Sequence, residues 1–117
     1  MRTIRRGEIY LINFPFAEDA TQTKLRPVLV VQADELETGL PSVIVVPLTS
    51  QINRIGPPSR VLIRLKTPDA QGTGLKTDTV VMADHIREVS EYVFSKRIGR
   101  MPTMIQVDAA LRAALGL

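Results

Sequence analysis

The side chains able to do chemistry in this chain are arginines, hydroxyls and a few isolated acids. A single histidine, His85, rules out a mechanism that pairs two histidines as acid and base within one chain. There is no cysteine, which removes thiolate catalysis, disulfides and cysteine-ligated zinc together. Asp69, Asp78 and Asp84 are scattered, and Glu18 and Asp19 fall in a polar stretch. None of this is metal-ligand spacing, so neither a metal nor another cofactor is expected. No phosphate-cradling glycine loop or nucleophile elbow is present. What remains is Arg26, followed by Pro27, and the Thr49–Ser50 pair after Val46, Pro47 and Leu48. The proline biases Arg26 toward extended backbone, so its side chain is held at a strand start. Hydroxyls at a strand end can donate to an anion. From these residues alone, the structural reading is the stronger one: Arg26 in a salt bridge, Thr49 as a turn-forming hydroxyl.

The elements that must position them are short. The chain has 117 residues, the size of one domain spanning 1–117, enough to bury a core without disulfides or metals. Valine- and isoleucine-rich runs read as strands. Ile9 to Phe14 is the first, ended by Pro15, and residues 17–25 form a polar loop. Val28 to Gln32 is the second, with Pro27 at its mouth. A turn follows from Leu36 to Pro41. Val43 to Leu48 is apolar on both faces and therefore central. Gly56, Pro57 and Pro58 break the chain before the alternating strand Arg60 to Leu65. The turn Gln71–Gly74 leads to strands at Thr79–Met82 and Ile86–Val89, and Glu91 to Ile98 fits either a strand or a short helix. Thr103 is the expected cap of a terminal helix that stops at Gly116, with Met104, Val107, Leu111 and Leu115 on one buried stripe. The sum is mainly β: an antiparallel, barrel-like sheet closed by one helix.

Charge narrows the partner. The formal net charge is +3, and 11 of the 15 basic residues are arginine. Arginine presents a rigid fork matched to phosphate and carboxylate. This fits an RNA or acidic-peptide partner as well as a merely solvated basic surface. Five aromatics are few for a base-stacking platform. No run is long and apolar enough to span a bilayer, and the basic amino terminus leads into Gly7 and Glu8 rather than an apolar leader. A soluble, cytoplasmic protein is expected.

Four blocks, in order, then carry a resemblance. Arg6-Gly-Glu-Ile-Tyr10 and Arg26-Pro-Val-Leu-Val-Val-Gln32 resemble the opening of MazF/PemK toxins. Val43-Ile-Val-Val-Pro-Leu-Thr-Ser-Gln51 is similar to their second block. Gly74-Leu-Lys-Thr-Asp-Thr-Val-Val-Met-Ala-Asp-His-Ile-Arg87 is similar to their third, followed by Lys96-Arg-Ile-Gly-Arg-Met101. Each block alone is weak; the four together cover nearly the whole chain.

The resemblance implies a compact, SH3-like, twisted antiparallel barrel of the PemK type with a C-terminal α-helix, in a symmetric homodimer. It implies an endoribonuclease that cuts single-stranded RNA at a short motif without a metal, leaving 2′,3′-cyclic phosphate and 5′-hydroxyl ends. A cognate antitoxin with an acidic, disordered tail would silence it. Arg26 and Thr49 match the family's catalytic positions. Asp84 matches an acid used by some relatives, although Met82 stands where their accompanying arginine would be. His85 falls where relatives often carry glutamine. Phe16, Gln22, Lys24, Ser50, Gln51, His85 and Arg87 are the implied RNA contacts. Two alternatives share the fold: a toxin that binds DNA gyrase, and an RNA-binding barrel without catalysis.

Overall fold

Strand β3 (Ser42–Thr49) organises the molecule because both its faces are apolar. Val46 and Leu48 join one core cluster, while Val43 and Val45 join another. The structure, a computed structural model, describes residues 3–15 and 23–117. Around β3 lie β1 (Glu8–Pro15), β2 (Thr23–Val30), β4 (Arg60–Ile63), β5 (Thr79–Met82), β6 (Arg87–Ser90) and β7 (Phe94–Arg100). Every pairing is antiparallel, in the order β4-β5-β3-β2-β1-β7. The sheet forks at β3: β6 pairs with its first half and β5 with its last two residues. Among the described residues no rung joins β4 to β7, so the sheet curls around its core without sealing.

The alternation of β2 explains the curl. Leu29 and Val31 enter the cluster capped by helix α1 (Ile105–Leu115), where Val107 and Ala110 are buried. Val28 and Val30 enter the opposite cluster with Ile12 and Val43. A half-buried strand cannot do this; β2 and β3 are sandwiched, and the strongly twisted sheet supplies both layers. Arg6 ties the amino-terminal turn to the helix: its Nη2 donates to Asp108 Oδ1 at 2.6 Å and its Nε to the Val31 carbonyl at 2.9 Å.

Several expected boundaries shift. Pro15 lies within β1, opposite Thr23, rather than ending it. Residues 23–25 belong to β2 and not to the loop, and Pro27 sits inside the strand opposite Leu11. Proline is tolerated there because only its own N–H is missing from the ladder. Strand β4 stops at Ile63, two residues early, and β6 starts at Arg87. The ambiguous stretch splits into a 3-10 turn at Glu91–Val93 and then β7. Thr103 does accept the Ile105 N–H at 3.2 Å, but Met104 occupies the cap position. Gly116 ends the helix in left-handed backbone, as its type suits. Leu115, expected on the buried stripe, is 57% exposed; Ala110 fills the core there instead.

Strand β7 is irregular in a way that matters later. Against β1, Ile9 faces Gly99 but Tyr10 faces Arg97, and Leu11 faces Lys96 but Ile12 faces Phe94. Ile98 and Ser95 are therefore extra residues, each a bulge. The turn at residues 72–74 sits directly on this strand, with the Arg100 N–H donating to the Gly72 carbonyl at 2.8 Å. A Cβ on Gly99 would fall 2.3 Å from the Thr73 carbonyl carbon, so only glycine permits the approach.

Candidate active site

The β2–β3 register pairs Val28 with Pro47 and Leu29 with Val46. Arg26 and Thr49 each lie two residues beyond the Val28–Pro47 rung, at the same end of the pairing. Both residues border two surface depressions, so they form a ridge between them. The larger depression, about 610 Å³, runs from this ridge and Ser50 across residues 74–77 to Lys96, Arg97 and Ile98. The smaller, about 310 Å³, is bordered by Gln51, Arg54, His85 and Arg87, with the buried Met82 in its wall. No carboxylate is among the described residues that line either one. Cations border both, which suits a polyanion.

Thr49 is oriented by the turn that follows it. Its Oγ1 accepts the Gln51 N–H at 3.1 Å, which uses a lone pair and leaves the hydroxyl proton to be donated elsewhere. Gln51 Oε1 in turn accepts the Arg54 Nε–H at 2.8 Å. The hydroxyl, the amide and the guanidinium thus follow one another along the chain from the end of β3 through the 3-10 turn at Ile52–Arg54.

Asp84 stands outside both depressions. Arg60 grips it in a fork, Nε to Oδ1 at 3.3 Å and Nη2 to Oδ2 at 3.2 Å. Partial burial would raise the Asp84 carboxyl. The Arg60 hydrogen bonds, the residue's own backbone N–H and the charges of Arg60 and His85 outweigh it, and the pKa lies below the usual carboxylate value. His85 Nε2 is 4.0 Å from the same carboxylate. Arg60 Nη1 also donates to the Arg54 carbonyl at 2.7 Å, so the pair braces the turn that carries Arg54.

Of the residues singled out in the sequence, Arg26, Thr49, Ser50, Gln51, His85 and Arg87 come together around the ridge. Lys24 is exposed on β2 and borders neither depression. Phe16 and Gln22 lie outside the described residues. Sequence reasoning missed Arg54, Lys76, Lys96 and Arg97. Lys76, Lys96 and Arg97 sit within the quoted blocks, but nothing in their spacing signals a shared wall.

Residues 5–115 match the family model described as PemK-like, MazF-like toxin of type II toxin–antitoxin system. The chain belongs to this family. Two curated relatives of this MazF-like toxin align over 116 residues and 97% of its length. One is 32% identical, with 92% of its own length covered: the endoribonuclease MazF of Staphylococcus epidermidis. The other is 30% identical, with 96% covered: the endoribonuclease EndoA of Bacillus subtilis (strain 168). Among solved structures, an endoribonuclease in complex with its cognate antitoxin from Mycobacterial species superposes with a TM-score of 0.75 at 24% identity. That alignment covers 98% of this chain and 97% of the other, and it shows that the PemK/MazF-type fold is shared.

Proposed function

We propose that this MazF-like toxin is an endoribonuclease that cuts single-stranded RNA at the Arg26–Thr49 ridge. The observation that carries the reading is that a guanidinium and a proton-donating hydroxyl, from two strands, border the same two depressions, with no carboxylate among the described residues that line them. Both curated relatives named above are endoribonucleases, which supports it.

The reaction is an internal transfer. The ribose 2′-oxygen bonds to the adjacent phosphorus as the bond to the 5′-oxygen breaks. The 2′-hydroxyl loses its proton to solvent and the leaving 5′-oxygen gains one. The products are a 2′,3′-cyclic phosphate and a 5′-hydroxyl. Charge concentrates on the phosphoryl oxygens in the transition state, where a fixed guanidinium and hydroxyl stabilise it selectively. A guanidinium holds its proton far too tightly to be a good base. Arg26 therefore acts by charge and by donating toward the departing oxygen, and Thr49 donates to a non-bridging oxygen. DNA lacks the 2′-nucleophile and is bound without being cut.

The toxin works as a homodimer in the cytoplasm. A cognate antitoxin silences it by laying an acidic segment, disordered until it binds, along the same cationic surface. The type II toxin–antitoxin family supports that pairing.

The test is incubation of the protein with a mixed-sequence single-stranded RNA in EDTA, with Arg26→Ala alongside, followed by end-group analysis. Cyclic-phosphate and 5′-hydroxyl ends that vanish in the variant are expected. A folded variant that cleaves like wild type would sink the assignment of Arg26.

A further inference from the structure

The far wall of the larger depression does not belong to the ridge chemistry, yet it is built with care. On a regular strand, neighbouring side chains point to opposite faces. Lys96, Arg97 and Ile98 are consecutive, and all three line the same depression. The two bulges at Ser95 and Ile98 re-aim them. Gly99 and Gly74 let the 72–74 turn press against this irregular stretch; a Cβ on Gly74 would meet the Ile98 carbonyl oxygen at 2.0 Å. That close approach carries Lys76 to the same wall.

Arg97 is anchored from beneath. Its Nε is 3.0 Å from Oε2 of Glu8, whose side chain is only 8% exposed, while Arg97 itself is half exposed. Glu8 Oε1 accepts the Arg5 N–H at 2.5 Å and the Tyr10 hydroxyl at 3.2 Å. A buried carboxylate with three donors is fixed in place, and it fixes one edge of the guanidinium. Lys76 and Lys96 make no ion pair among the described residues, so they keep their charge for a ligand.

We infer that Lys76, Lys96 and Arg97 form a phosphate subsite for the RNA backbone one or more nucleotides away from the bond cut at Arg26 and Thr49. This rests on the ridge being where RNA is cut. The subsite adds that the strand is held by a second set of cations across the larger depression. Such groups bind ground state and transition state alike, so they set affinity and register and leave the chemical step alone.

Two variants test it, Lys76→Ala/Lys96→Ala and Arg97→Ala, with an uncleavable all-deoxy 12-mer as binding probe and a mixed-sequence 12-mer RNA as substrate. For every phosphate that a variant no longer neutralises, the slope of log affinity against log salt should fall by about 0.7, the value for single strands. KM for the RNA should rise with kcat unchanged. Arg97→Lys, which keeps the charge, should recover most of the slope; a purely structural Arg97 would not behave so. Unchanged slope and KM in the lysine pair would overturn the subsite. So would a defect confined to binding of an acidic peptide such as oligo-glutamate, since the wall would then serve a protein partner. Arg26→Ala separates the two readings: if it cleaves normally the ridge assignment falls, while the salt slopes still report on the wall.

Discussion

Two arginines of the same sheet face different surroundings. Arg60 commits its guanidinium to the protein: both edges are taken, by Asp84 and by the Arg54 carbonyl. Arg26 opens onto two depressions whose described lining holds cations and hydroxyls but no carboxylate. The first arrangement suits a fastening and the second a charge turned toward a substrate. Residue type does not distinguish them; the surface each guanidinium borders does.

Four substitutions put this contrast at risk. The largest effect is expected from Arg26→Ala, which should lower the RNA-cleavage rate by about 10²–10³-fold, the scale for one oxyanion-type donor. Its thermal midpoint should stay close to wild type; a collapse in stability would make Arg26 a fastening too. Next comes Gly99→Ala, on the wall that faces the ridge. A Cβ 2.3 Å from Thr73 forces the 72–74 turn off β7, with an expected cost of about 1–3 kcal/mol in urea denaturation. If stability is untouched, the tight docking is not what shapes the cleft.

Thr49→Val should cost about tenfold in cleavage, the lower end of the roughly 1.5–3 kcal/mol that a hydrogen bond to a charged group is worth. An effect on the scale of Arg26→Ala would mean the hydroxyl does more than donate. The smallest effect belongs to Asp84→Asn, which should leave cleavage within a few-fold and cost about 0.2–1 kcal/mol of stability at neutral pH. The sign of its pH dependence is fixed. The folded carboxyl titrates below the ordinary value of 3.8, so its contribution is complete above that pH and is lost as the pH falls through the lower folded value. The stability gap between wild type and Asp84→Asn should therefore be flat above about pH 4 and close in more acid solution. A gap that persists at about pH 2, or cleavage abolished at about pH 7, would return Asp84 to the chemistry.

Much of the fold and part of the candidate site are legible in the chain. The run Val43–Leu48 reads as central because every position is apolar, and it is the strand that meets β2, β5 and β6. The expected strand Thr79–Met82 matches β5 residue for residue. Arg26 and Thr49 stand out once the blocks are taken in order. The start of β2 escapes because Thr23 and Lys24 are polar and a proline follows; pairing with β1 makes this stretch strand. Lys96 and Arg97 escape for a different reason. Period-two reasoning puts neighbours on opposite faces, and a bulge that overrides the period leaves no mark in residue type. Asp84 looks available because nothing in sequence reveals that Arg60, 24 positions away, claims it.

The pairing of the first strand with the last has a consequence for how the molecule is born. Strand β1 is made well before its neighbour β7, and Arg6 well before the Asp108 it grips, 102 positions later. Pairings of such long sequence separation form late in folding. A nascent chain that already carries Arg26 and Thr49 still lacks the wall formed by Lys96 and Arg97. The cleft is therefore assembled only once β7 has followed, well behind Arg26 and Thr49 on the chain.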